Sequence, residues 1–341
     1  MEIERQPIET ASWESMDRYE DRVFSQRRAW LQFIAETQEG EIIIVRLRDE
    51  GETIGYFTGI LFKKFGFKIM GSPFPGWTTP YLGFNLLPHI SRSRAITALI
   101  PFIFDELGCI HLELADLYLH SENVQKFKFT SHITNTYVSD LTQSEDSLFA
   151  QMHSACRRCI RKAEKIGTCI EEASPIGFAE EYFKQLTDVF AKQNLKPTYN
   201  QERIEQLIKH LYPTGDLLLL RARNADGQSI ATGIYPGFNK SSYFFGNASL
   251  LQFQQARPNE IMHWYAMRYW KSQGVEKHYW GGGGTYKEKY GCSQIQTMSF
   301  SLSKYKTILA ARIIVEKLYR YPRVLKRKLY LQKISRNSIS K

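Results

Sequence analysis

The sequence predicts an α+β protein, a mixed, mostly antiparallel sheet with helices on both faces, built twice along the chain. Three observations carry this. One order of elements (helix, helix, three antiparallel strands, helix, strand) runs over roughly residues 10–114 and again over roughly residues 175–280. It is a repeat of pattern, with negligible residue identity between the halves. Apolar residues fall in short alternating or continuous runs bounded by turn residues, as strands require. A hydrophobic fraction of 43% and an aromatic fraction of 13% supply a sizeable core.

In the first half, residues 1–40 read as polar and helical, with Trp13, Met16, Tyr19 and Val23 at helical spacing and a second short helix over Arg28 to Glu36. Glu41 to Arg48 is a strand closed by Asp49-Glu50-Gly51-Glu52, and Ile54 to Phe62 is its hairpin partner. Phe65 to Met70 is a third strand. Gly71 to Leu82 is a loop rich in proline, glycine and aromatic residues. Ser91 to Leu107 is a helix stopped by Gly108, and Cys109 to Leu114 a strand. Residues 115–147 are weakly patterned and mark the junction, giving domains over 1–140 and 141–302 and a tail over 303–341.

In the second half, Ser147 to Ile166 reads as one helix ended by Gly167, with lysine in its last turn. Thr168 to Glu172 is a short strand, and Pro175 to Lys192 and Gln201 to Leu211 are helices. Asp216 to Arg223, Ser229 to Phe238 and Ser241 to Ala248 are three antiparallel strands, turned at Asp226-Gly227 and Asn239-Lys240. Glu260 to Gln273 is a helix, and Glu276 to Trp280 and Gln296 to Ser303 are strands.

Charge is unevenly placed. Residues 303–341 hold twelve Lys and Arg against one acid, Glu316, a balance of +11, so residues 1–302 carry −1 of the net +10. A near-neutral body argues against a nucleic-acid-binding face. The tail, with Ile313, Ile314, Leu318, Val324 and Leu325 beside Arg320, Arg323 and Lys326, reads as a basic amphipathic helix broken near Pro322, suited to an anionic bilayer. The charged start Met1-Glu2-Ile3-Glu4-Arg5 is no signal peptide, and no apolar run is long enough to span a membrane. The expected location is the cytoplasm, peripheral at the inner face of the cell membrane. Five cysteines fit reduced thiols, and Cys156 and Cys159 lack a second pair at metal spacing. His111, Glu113 and Asp116 read as a polar sheet face. No metal site, Ser/His/Asp elbow, Walker loop or dinucleotide fingerprint is expected.

Three motifs carry a family resemblance. They are the basic helix Arg157-Arg158-Cys159-Ile160-Arg161-Lys162, the turn Arg257-Pro258-Asn259 leading into a helix with Trp264, and Tyr279-Trp280-Gly281-Gly282 followed by Tyr286-Lys287-Glu288-Lys289-Tyr290-Gly291. With the repeated element order, they resemble the Fem type of tandem GNAT acyltransferase. The resemblance implies two tandem GNAT-like domains, the first degenerate, and an activated donor whose phosphates sit at the turn before the helix, where unpaired N–H groups face an anion.

The resemblance implies donor binding at Arg257 and Asn259. Tyr243 and Asn247, on the preceding strand, are expected to line the same cleft. Gly281 and Gly282 permit backbone to approach a ligand at a strand end. Lys289 is a candidate for stabilising an oxyanion, Tyr286 for donating to a tetrahedral intermediate, and Glu288 for deprotonating an amine. Arg157, Arg158, Arg161 and Lys162, with Lys165, give a cationic cluster for an acceptor's or donor's phosphates. Trp77 and Tyr81 are candidates for stacking on an acceptor. The expected activity is N-acyl transfer by direct attack, with no bound cofactor and with acyl-CoA or an acyl carrier as co-substrate. The acceptor is an amine of a peptide, amino sugar or lipid-linked cell-envelope precursor. Two alternatives stand beside this: an aminoacyl-transfer-RNA donor, the one case involving nucleic acid, and a non-catalytic binding module at the membrane surface.

Overall fold

The structure is a computed structural model describing residues 1–191, 195–282, 284–308 and Arg312. Fourteen strands join one mixed sheet among the described residues. The first unit contributes β1 (Glu2–Gln6), β2 (Glu41–Asp49), β3 (Glu52–Lys64), β4 (Phe67–Ser72), β5 (Gly83–Leu86), β6 (His111–Leu114) and β7 (Thr130–Asp140). The second contributes β8 (Cys169–Glu172), β9 (Leu217–Arg223), β10 (Ser229–Phe238), β11 (Ser241–Tyr243), β12 (Gly246–Ser249), β13 (Lys277–Tyr279) and β14 (Ser293–Ser303). The order across the sheet is β1-β2-β3-β4-β6-β14-β7-β13-β11-β10-β9-β8, with β5 on β3 and β12 on β10.

Two crossovers make the units alike. Helix α3 (Arg92–Pro101) links β4 to β6, which pair in parallel, and α8 (Pro258–Ser272) links β11 to β13, also parallel. The last strands are exchanged. Strand β7 pairs with β13 of the second unit, whereas β14 pairs with β6 of the first, and β7 and β14 pair antiparallel down the middle. The expected α+β class with tandem units therefore holds, within one continuous sheet.

The remaining helices are α1 (Trp13–Asp17), α2 (Arg28–Gln38), α4 (Glu145–Gln151), α5 (Ser154–Lys165), α6 (Phe178–Ala191) and α7 (Gln201–Leu211). Helices α2, α6 and α7 cover one face and share a core that joins both units, through Trp30, Phe33, Ile60, Tyr182, Leu207 and Ile234. On the other face α3 covers the first unit over Phe57, Leu99 and Leu112, and α8 covers the second over Tyr235, Met267 and Trp280.

Several expected boundaries are corrected. Residues 2–6 form a strand, not part of a helix, because Glu4 pairs with Arg46 and Ile3 faces Leu47 across β2. The junction segment holds β7, whose period of two is masked by Thr134 and Thr136 facing a cavity. The helix read over Ser147–Ile166 is two helices, α4 and α5, parted where Met152 and His153 are extended and the His153 N–H bonds Lys289 O. The strand read over Ser241–Ala248 breaks at Phe244-Phe245 into β11 and β12. β14 starts three residues earlier than read. β5 follows the proline-rich loop directly, in a stretch read as no element. Of the tail, residues 309–311 and 313–341 lie outside the described residues.

Candidate active site

The break in the third strand of the second unit makes the site. Up to Tyr243 the chain runs beside β13, and the Phe244 N–H still bonds Tyr279 O at 2.9 Å. The next residue turns away, and the Phe245 N–H bonds Ile234 O of β10 at 3.1 Å. Past Tyr279, β13 leans the other way, with the Trp280 N–H on Tyr137 O of β7 at 2.9 Å. Neighbouring strands therefore part, leaving a wedge with Tyr243 and Gly281 at its apex.

On the β12 side the wedge is tied to α8. Asn247 Nδ2 donates to Asn259 Oδ1 at 3.0 Å, and Asn259 Nδ2 donates to Ser249 Oγ at 3.2 Å. Arg257 precedes α8 in the left-handed conformation (φ 54), with Pro258 opening the helix. Its Nε is buried without a hydrogen-bond partner among the described residues. The basic helix α5 flanks this turn. Lys162 Nζ reaches Gln255 Oε1 at 3.5 Å, and Thr168 Oγ1 donates to Ala256 O at 3.0 Å. Arg158, Arg161 and Lys162 are exposed. Arg161 lies over the Phe149 ring at 5.4 Å, and Arg157, half-buried, donates to Ala150 O. Lys162 thus stands beside the turn before α8, with Arg158 and Arg161 exposed on the same helix.

On the other side Gly281 (φ +57) and Gly282 (φ +51) are both left-handed. At Gly281 a Cβ would sit 2.7 Å from the Tyr243 ring carbon Cζ, so glycine is required both by conformation and by contact. The buried side chain of Lys287 secures this turn from behind. Its Nζ donates to Trp280 O at 2.8 Å, to Gly281 O, and to Gly282 O at 3.3 Å. Burial pulls Lys287 down to about 8. Burial pushes the Tyr243 phenol up to about 12, so it keeps its proton at neutral pH.

The wedge opens onto a cavity of about 230 Å³ between the units. Tyr81, Tyr279, Tyr243, Gly281 and Gly282 line one side with the turn Pro73–Gly76. Thr134 and Thr136 of β7, Thr297 and Ser299 of β14, and Glu113 line the other. Glu113 is buried, its Oε1 taking bonds from His111 Nε2 at 2.8 Å and Arg312 Nε at 2.5 Å. The volume is below the roughly 300–1,000 Å³ of pockets that enclose a whole small ligand. It suits one amino-acid-sized group, with the rest of the molecule outside.

The structure brings Tyr243, Gly281, Gly282 and Tyr81 to one cavity and Asn247, Asn259 and Arg257 to the adjoining turn. Other expected residues stand apart. Lys289 is committed to an ion pair with Glu260, 2.8 Å away at the start of α8. Lys287 is the lysine whose ammonium reaches the glycine turn. The alternation of Tyr286-Lys287-Glu288-Lys289 does not reveal which lysine points inward. Tyr286 is 53% exposed and does not line the cavity, and Glu288 Oε1 accepts from the Tyr137 hydroxyl at 2.8 Å. Trp77 is buried against Phe62 and Phe74 in the shared core, so its ring has no free face for an acceptor. Among the described residues no cluster of His, Cys, Asp and Glu is arranged to hold a metal. Burial raises the Cys156 thiol to about 12, which suits packing. No described helix is long and apolar enough to cross a membrane.

Residues 150–290 match the family model of the acetyltransferase (GNAT) domain. Among solved structures, FemX aligns at 13% identity with a TM-score of 0.74, covering 90% of this chain and 99% of its own. L-PGS from Bacillus licheniformis aligns at 11% identity and TM-score 0.52, over 86% of this chain and 97% of that one. A tandem GNAT protein from the clavulanic acid biosynthesis pathway aligns at 10% identity and TM-score 0.50, over 89% and 98%. Searched against curated proteins, the sequence finds no match. The fold is thus the tandem GNAT fold of the Fem type, as the basic helix, the Arg257 turn and the closing glycine segment led one to expect.

Proposed function

We propose that this tandem GNAT chain is an N-acyltransferase that moves an acyl group from an activated donor at the second unit's wedge to an amine entering the cavity between the units. The observation that carries the reading is the parting of β12 from β13 at Tyr243 and Gly281, directly over that cavity. A donor's phosphates would lie at the Arg257–Asn259 turn, beside Arg158, Arg161 and Lys162, with its acyl end in the wedge.

The amine nitrogen attacks the acyl carbon. The C–N bond forms, the bond to the leaving group breaks, and the amine's proton passes to solvent or to a cavity carboxylate such as Glu113. The Lys287 ammonium supplies positive charge behind the Gly281–Gly282 turn as the acyl oxygen becomes negative. Tyr243, protonated at neutral pH, donates to the departing sulfur or oxygen. Direct attack needs no covalent enzyme intermediate and no bound cofactor. The tyrosines and hydroxyls of the cavity suit a peptide or amino-sugar amine, in keeping with a cell-envelope acceptor at the cytoplasmic face.

The exposed cations of α5 favour any donor rich in phosphate, so aminoacyl-transfer RNA is the second reading. The deciding experiment is transfer from labelled acetyl-CoA, long-chain acyl-CoA and aminoacyl-transfer RNA to an amine-bearing muropeptide. Wild type is expected to turn over with one donor class, and Lys287→Gln and Tyr243→Phe to be slowed while still folded. Undiminished turnover in both variants would remove the assigned roles. Inertness of wild type toward every donor would favour the non-catalytic alternative.

A further inference from the structure

The turn between β3 and β4 breaks a local rule with nothing among the described residues to compensate. Phe65 and Gly66 form a two-residue hairpin loop, both left-handed, with φ of 53° and 80°. Such loops favour Asn, Asp or Gly at the first position, because a Cβ is disfavoured there. Phe65 serves neither the turn nor the core, since 91% of it is exposed. Phe67, next along, is 54% exposed. Large apolar side chains left in water at a strained position point to a partner.

The charge around them identifies that partner. Lys63 stands opposite Lys68 in the ladder, and like charges so placed repel. Lys68 turns its ammonium to Leu107 O, while Lys63 and Lys64 have no acidic partner among the described residues. Strand β14, after which the sequence turns basic, ends at the same edge. The Ile110 N–H bonds Lys68 O, and the Lys304 N–H bonds Ile110 O, so the ends of three adjacent strands lie side by side. There Tyr305 is 54% exposed, between exposed Lys304 and Lys306. The acids nearby are Asp105, 3.6 Å from Lys304, and exposed Glu106.

We infer that this sheet edge, with Phe65, Phe67 and Tyr305 as apolar anchors and Lys63, Lys64 and Lys306 as cations, docks on an anionic bilayer surface. Aromatic rings seat at the boundary of headgroups and acyl chains, and lysines beside them meet acidic lipid. Strand β4 runs from this edge to the Pro73–Gly76 turn about 20 Å away, and Glu113, the cavity residue paired with Gly71, lies about 13 Å from Phe67, so docking leaves the cavity clear of the lipid.

The test is sedimentation of the full chain with vesicles of phosphatidylcholine alone or mixed with phosphatidylglycerol. Wild type is expected to bind the mixed vesicles and to be released by salt. Phe65→Asn combined with Phe67→Ser should lower partitioning about tenfold through the lost apolar burial. The melting temperature should stay level or rise, since Asn suits the turn. Lys63→Gln with Lys64→Gln should weaken the dependence on phosphatidylglycerol. Unchanged binding of the Phe65/Phe67 variant would overturn the inference, leaving the basic tail as sole anchor, as would failure of wild type to bind the mixed vesicles at low salt. Acyl transfer between soluble donor and acceptor is independent of this edge. Its loss or retention therefore reports on the proposed activity separately.

Discussion

The side-chain amide of Asn247 meets that of Asn259 at 3.0 Å, joining the strand on one side of the wedge to the first turn of α8. Asn259 passes the contact on to Ser249, so wedge and helix start are held as one piece. Asn259→Ala, which removes both bonds, is expected to cost about 1–2 kcal/mol. It should raise the KM for donor while leaving kcat nearly level. Donor titrations and urea unfolding check this, and a fall in kcat with unchanged KM would contradict a positioning role.

Lys287 gives a pH signature. Burial lowers it from 10.5 to about 8, so its ammonium is present below that pH and is lost as pH rises through it. Turnover is expected to decline above about pH 8. Lys287→Gln should abolish that limb and cost about 10²–10³ in kcat, the scale for removing one stabilising donor. A profile unchanged in the variant would assign the decline to another group.

Gly281→Ala should be severe for so small a change. The added methyl meets the Tyr243 ring in a left-handed conformation, a combination expected to cost about 1–3 kcal/mol. Pairing it with Tyr243→Phe removes the nearest atom and should recover part of the stability. Additive losses in urea titrations would show that contact to be unimportant.

Acid should unfold the protein through two buried histidines. Burial holds His278 down at about 3, against 6.5 when unfolded, and lowers His263 as well. The unfolded chain takes up protons below 6.5 while the folded one does not, so stability is full above 6.5 and falls as pH drops toward 3. For His278 the loss is about 3 kcal/mol by pH 4. Urea midpoints across that range should flatten in His278→Gln, whose side chain can still bond Ser242. An equally steep fall in the variant would place the sensitivity elsewhere.

What could be read in advance depended on range along the chain. The hairpin of β2 and β3, the helices α2, α7 and α8 and the glycine turn all announce themselves within a few residues. The break after Tyr243 does not. Phe244 and Phe245 continue an apolar run, and only their N–H groups, one to Tyr279 and one to Ile234, show the chain changing partners. Lys287 and Lys289 differ by two residues and look alike in sequence. One meets three carbonyls and the other Glu260, because the Thr285–Tyr290 turn rotates them apart. Trp77 sits in a loop that promised an open face, yet Phe62 of the neighbouring strand covers it.

The exchange of last strands also bears on how the molecule is made. Strand β6 keeps an unpaired edge until β14 is available, roughly 180 residues further along the chain, or about 10–40 s at ordinary rates of translation. Throughout that interval the first unit is incomplete on the ribosome, with backbone groups of His111–Leu114 open to any passing strand. Nascent chains of this protein should therefore depend on holding chaperones, and rare-codon pauses before Ser293 should lower its soluble yield.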